Sequence, residues 1–191
     1  RHPVKAIGYE ALDTVTLVAG ATFPGDRKWG VAQKGVMAPP GQWSHCSNFM
    51  RGAKSSQLMQ VTARLSGDRV TLSHPDLEDY EGAPDTPEDA ARLVDWVAPL
   101  CNPKRSPPAS VVPAGDRALT DSDERTVSLM STASLAALGE KAGLPLTQPR
   151  FRGNIWFDGG ESFEELDWVG RRLKAGETVL EVTDRIPRCL S

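Results

Sequence analysis

Residues 60–73 read QVTARLSGDRVTLS: a β-branched run over 60–65, a short polar link at Ser66, Gly67 and Asp68, and a second run over 69–73. Two such runs around a short glycine-containing loop predict an antiparallel hairpin, because glycine reaches the left-handed conformations that tight hairpin turns demand. Working outward, Val15, Leu17 and Ala19 alternate with Thr14, Thr16 and Val18 before Gly20, which predicts a strand, and a further strand is expected over 28–32 after the turn at Pro24, Gly25 and Asp26. Extended segments return in NIWF (154–157) and TVLEV (178–182), joined by the acidic stretch ESFEELDW (161–168). The 17 glycines and 15 prolines, about one residue in six, exceed the roughly 12% average and favour short strands and turns over long helices. The expected class is mainly β.

Helix signals are few. Thr86 precedes Pro87, Glu88 and Asp89, which supply an N-cap, a proline at the first helical position and acids in the first turn. Leu93, Val94, Val97 and Leu100 then keep helical spacing up to Asn102 and Pro103. A second short helix is expected from about Ser131 to Gly143. The proline-dense stretch 102–115 is the best internal boundary, since proline removes backbone donors.

A chain of 191 residues with 39% hydrophobic content can bury a real core, and its net charge of -3 excludes a broad cationic face for nucleic acid or anionic lipid. No apolar run approaches the ~20 residues of a membrane span, and no secretory signal pattern opens the chain. Cys46, Cys101 and Cys189 are widely spaced and form no C-x-x-C pair, so a disulfide framework and a zinc knuckle are both excluded. Reduced thiols and a cytoplasmic location are the expectation.

Lys5, Arg27 and Arg152 taken singly read as surface cations. Their neighbours point further: Gly8 follows Lys5, Arg27 closes a tight turn, and Arg152 stands between Phe151 and Gly153 in what reads as an aromatic strand. Glycines allow close backbone approach and guanidinium groups match phosphate oxygens, so a phosphate or pyrophosphate pocket is predicted. Asn154 has an amide suited to a heterocycle edge or, equally, to pinning a strand end. Ser131, with Thr132 beside it, is a helix cap and an anion ligand through the backbone donors of the helix start. Cys189 follows Arg185 and Arg188, whose charge favours the thiolate that ligates metals or carries sulfur. Cys46 and Cys101 lack such a setting and read as packing or incidental residues.

The runs PVKAIGYEALDTVTLVAG (3–20), PGDRKWGV (24–31), LMSTASLAAL (129–138), RFRGNIWFDG (150–159), WVGRRLKAGETVLEV (168–182) and PRC (187–189) together resemble the MOSC family, the domain class that binds molybdenum cofactor. The resemblance implies a MOSC-type β-barrel with an N-terminal β-barrel-like region over 1–100, the MOSC domain over 101–191, and a few short helices. It also implies that relatives continue through further strands beyond the position of Cys189. The cofactor's phosphate and pterin would be held by Lys5, Arg27, Ser131, Thr132, Arg152 and Asn154, and molybdenum would be ligated by Cys189. Two pterin sulfurs and one thiolate make a soft ligand set suited to this metal. Ala6 and Pro187 depart from the pattern, standing where relatives have serines that add contacts.

The function so implied is a molybdenum-dependent oxidoreductase that reduces small N-hydroxylated compounds. Three dispersed cysteines cannot hold an iron–sulfur cluster, so electrons are expected from a ferredoxin-like or flavoprotein partner. The alternatives are a sulfur carrier, with a Cys189 persulfide received from a pyridoxal-phosphate cysteine desulfurase, and a molybdopterin-binding protein without turnover.

Overall fold

The structure is a computed structural model and describes residues 1–187. The chain forms two compact units, Arg1–Thr126 and Val127–Ser191. The expected boundary between 100 and 101 lies inside the first unit, where a strand within the proline-dense stretch, Pro108–Pro113, pairs back onto an early one.

In the first unit, β1 (Trp29–Gln33) pairs antiparallel with β5 (Pro108–Pro113), while β2 (Thr62–Ser66), β3 (Arg69–His74) and β4 (Leu77–Gly82) form an antiparallel meander. The predicted hairpin is the β2–β3 pair. Ser66 faces Arg69 across a two-residue loop, and Gly67 takes φ 60 there, the first-position value of a type II′ turn. Along β3, Val70, Leu72 and His74 are buried while Arg69 is exposed, so the period of two sets the core face. The predicted first helix is α1 (Pro87–Val97): Thr86 Oγ1 accepts from Asp89 N at 3.3 Å, and Leu93 and Val97, one turn apart, are buried. These faces close over Val4, Ile7, Trp29, Val31, Leu58 and Leu72, all at 0% exposure.

Thr86 begins a local electrostatic arrangement. The Asp89 carboxylate accepts from Ala83 N at 2.8 Å and pairs with Arg92 at 2.6 Å. The Ala83 bond first, then Arg92, hold Asp89 below its ordinary value of 3.8. A depressed carboxylate stabilises the fold above its unfolded value and loses that contribution as the pH falls through the folded one. Thermal melts of Asp89→Asn and the parent should therefore differ at neutral pH and converge in acid. A constant difference down to the lowest pH would show that the carboxylate charge contributes nothing.

The second unit holds a parallel pair, β6 (Leu129–Ser131) and β7 (Ile155–Phe157), connected through α2 (Thr132–Ala142) and a single helical turn, Gln148–Phe151. An antiparallel pair, β8 (Arg172–Ala175) and β9 (Thr178–Glu181), follows. The second predicted helix is α2. Ser131 caps its start, and Gly143 at φ 67 ends it in a Schellman motif, with Leu144 N bonding Gly139 O and Gly143 N bonding Glu140 O, both at 3.1 Å.

Two expectations are corrected. Among the described residues helix and strand each account for 24%, so the mainly β class is only loosely supported, and the strands form four separate sheets with no closed barrel. The strands are three to six residues long, and β5 is bounded by Pro108 and Pro113, which have no N–H to extend a ladder. The alternating run 14–19 is not a strand. Val15 and Val18 are 38% and 64% exposed, and alternation yields a strand only where a partner and a buried face exist. Among the described residues every buried hydrophobic side chain lies in the first unit, and no helix is long and apolar enough to cross a membrane.

Candidate functional site

In the first unit, Lys5 sits in a tight turn closed by Ile7 N to Val4 O at 3.1 Å, with Ala6 at φ 62. Its own N–H bonds Trp29 O at 2.7 Å, which anchors the turn to the start of β1. Gly8 is required nearby: it takes φ 71, and a Cβ there would meet that of Ala63 at 2.9 Å. The Lys5 side chain runs inward, leaving the residue 3% exposed. Its ammonium donates to Leu119 O at 2.7 Å and to Asp121 Oδ1 at 2.5 Å, and lies 5.6 Å from the centre of the Phe49 ring. Burial pushes its pKa down from the usual 10.5, against the opposing pull of Asp121.

Arg27 has φ 49 in the predicted turn, and its guanidinium pairs with the buried Asp26 carboxylate, which also accepts from His2 N at 2.7 Å. Leu119 joins the two cations: its N–H donates to Arg27 O at 3.0 Å while its carbonyl accepts from Lys5. Lys5 and Arg27 are thus brought together, and the charge of Arg27 acts on Lys5. The segment that completes this arrangement, Leu119 to Asp121, carried no sequence signal, since Asp121 is one of several acids in a polar stretch. Cys46, read as a packing or incidental residue, lies in the neighbourhood of Lys5. Cys101 is a packing thiol as expected: it donates to Val97 O at 3.3 Å, and burial pushes its pKa up to about 11.

In the second unit the predicted residues divide between the two ends of the β6–β7 pair. At the carboxyl ends lie Ser131 and Thr132, with the start of α2. Ser131 Oγ accepts from Ser134 N at 3.2 Å, and Thr132 Oγ1 lies 2.6 Å from Asp158 Oδ1 and 3.2 Å from Phe157 O. Ser134, which is also buried, donates to Glu165 Oε2 at 2.9 Å and accepts from Phe163 N at 2.7 Å. This brings the acidic stretch onto the first turn of α2, where the helix dipole favours negative charge. Ser134 belonged to the quoted S-T-A-S run, but its partner Glu165 was hidden by a separation of 31 positions.

At the amino ends lie Asn154 and Arg152. Asn154 Oδ1 accepts from Ser128 N and Ser128 Oγ at 3.1 and 3.0 Å, and Asn154 N donates to Ser128 Oγ at 2.8 Å. This reciprocal clasp starts the parallel pairing, which is the strand-pinning role. The Asn154 Nδ2 atom, however, is buried and has no partner among the described residues. Arg152 is not in a strand: it takes φ 55 as the left-handed cap of the turn Gln148–Phe151. Gly153 approaches side chains, since a Cβ there would meet Met130 Cγ at 2.6 Å. With a rise of about 3.3 Å per residue, the Asn154 and Phe157 ends of β7 are roughly 10 Å apart.

Cys189, the expected metal ligand, lies outside the described residues, and among those described no group of three or more His, Cys, Asp or Glu side chains is placed to hold a metal. A groove of about 410 Å³ between α1 and β5, lined by Pro87, Ala91, Val94 and Val111, includes none of the predicted residues.

Residues 116–191 match the family model of the MOSC domain. Over this span the chain is similar to MOSC domains. The MOSC match takes in Leu119, Asp121, Ser131, Thr132, Arg152, Asn154 and Cys189, whereas Lys5 and Arg27 precede it. MOSC domains are linked in general to the molybdenum cofactor. No curated protein and no solved structure matches the chain.

Proposed function

We propose that the chain binds molybdopterin and acts as a molybdenum-dependent reductase of small N-hydroxylated compounds. The observation that carries the binding reading is the unsatisfied Asn154 Nδ2 atom at one end of β7, with the α2 start roughly 10 Å away at the other. A buried amide donor without a partner costs about 1–3 kcal/mol, a cost that a heterocycle acceptor would remove. A helix start favours an anion through its unpaired backbone donors. A heterocycle joined to a phosphate fits both, and molybdopterin has that form.

Within the first unit, Lys5 and Arg27 form an anion seat. In the second, Thr132 and the first-turn amides of α2 bind anionic oxygens, Asn154 orients the heterocycle, and Arg152 adds a guanidinium. Cys189 is assigned to the metal. The bound cofactor supplies two-electron redox chemistry at molybdenum, so the residues named here bind, orient and exclude water. Electrons are assigned to a ferredoxin-like or flavoprotein partner.

Metal and pterin analysis of the purified protein tests this reading, with Cys189→Ser alongside. Stoichiometric molybdopterin is expected in both proteins, with the metal spectrum altered and turnover lost in the variant, because the grip on the phosphate comes from other residues. A protein without pterin that carries a persulfide on Cys189 would instead establish sulfur transfer from a cysteine desulfurase. Bound molybdopterin without reduction of any N-hydroxylated compound would leave a binding protein alone.

A further inference from the structure

The ion pair at Lys5 is lopsided. The ammonium side chain is 4% exposed, whereas the carboxylate it meets at 2.5 Å, on Asp121, is 76% exposed. Two of the three ammonium donors are engaged among the described residues, one by Leu119 O and one by Asp121. The Leu119 bond is part of the frame, because the same residue is tied to Arg27 through its N–H. The Asp121 carboxylate, by contrast, faces solvent over most of its surface. Its bond to Lys5 brings a solvent-facing carboxylate onto a buried cation, at the place and with the charge that an anionic ligand of Lys5 would have. A buried ammonium without a counter-charge is costly, so some anion is favoured there at all times.

We propose that Asp121 is the resident counter-ion of the Lys5 seat and determines which anions enter it, each ligand binding by exchange with the Asp121 carboxylate. The proposal rests on the reading of Lys5 as an anion-binding residue. Exchange favours ligands of higher charge, because a singly charged group only replaces what Asp121 already supplies, whereas a phosphate or pyrophosphate brings more charge and more acceptor oxygens. Asp121 thereby discriminates against carboxylates and chloride. Released into water, its carboxylate loses little, being already mostly solvated.

The test is a binding titration of the full chain with inorganic pyrophosphate, comparing the parent, Asp121→Asn, Asp123→Asn, Lys5→Met and the double variant Lys5→Met/Asp121→Asn. Asp123 is the control, since it removes the same charge two residues away from a carboxylate that pairs with Arg117, not Lys5. Asp121→Asn should bind pyrophosphate about 10-fold tighter, the scale of one charged hydrogen bond no longer competed for. Asp123→Asn should bind as the parent does, and the gain should vanish in Lys5→Met/Asp121→Asn. Equal gains in Asp121→Asn and Asp123→Asn would reduce the effect to net charge and overturn the proposal. Unchanged affinity in Asp121→Asn, with binding still lost in Lys5→Met, would overturn the exchange and leave the Lys5 seat standing. Undiminished binding in Lys5→Met would overturn the seat itself. Should Lys5→Met fail to fold, the ¹³Cε shift of Lys5 in the parent reads the same point: it must move on pyrophosphate addition, and an unmoved signal at saturation rejects the seat.

Discussion

Trp29→Ala should destabilise the first unit by about 3–5 kcal/mol, the cost of emptying a fully buried aromatic site that the surroundings refill only in part. Trp29 is 0% exposed at the head of β1, its Nε1 donates to Asp85 Oδ1 at 3.0 Å, and the Lys28 ammonium lies 4.6 Å from its ring centre. The substitution therefore opens a cavity and strips Asp85 of a donor together. Because domains are stable by only about 5–15 kcal/mol, a loss of this size takes much of the margin. It is read by urea denaturation, with the midpoint falling at unchanged slope. Trp29→Phe keeps most of the volume and should lose much less. A loss below about 1 kcal/mol in Trp29→Ala would show that the core does not rest on this residue.

Lys5→Met should weaken retention of the cofactor by roughly 10-fold or more, since a charged hydrogen bond contributes about 1.5–3 kcal/mol. The readout is pterin content after purification, beside a thermal melt. The two should separate. Methionine fills a similar volume without the cost of a buried charge, so the fold should survive while the pterin is lost; a protein that melts early would point to a structural role instead. The pH dependence has a definite sign. Burial lowers the folded-state pKa of Lys5 below 10.5, so between that lowered value and 10.5 the unfolded chain holds a proton that the folded chain has released. The stability contribution of Lys5 is therefore complete above 10.5 and is lost as the pH falls through the lowered value. Anion binding runs the other way and weakens as the ammonium deprotonates. Retention that stays level across this range in the parent would remove Lys5 from the binding residues.

The local elements were legible in the sequence wherever their causes are local. The 66–69 turn, the Thr86 cap with Pro87, and the Ser131 to Gly143 limits of α2 depend on a few neighbouring residues, and the structure has each of them. The alternation at 14–19 misled, because a period of two states only that a strand would have two unlike faces and cannot supply the partner that makes one. Arg152 misled in the same way: an aromatic neighbour and a glycine suggested a strand, but the turn that ends in its left-handed conformation is set by Pro149 and the packing of Gly153 on Met130. The residue types of the candidate site could be named from motifs, since lysine, arginine, serine and asparagine have fixed donor chemistry. Only the tertiary structure decided what each one meets. Lys5 and Asp121 are 116 positions apart, and Ser134 and Glu165 are 31 apart. Chain folding over such separations sets burial and counter-charge, and with them whether a cation on the page is a solvated surface group or a buried seat for an anion.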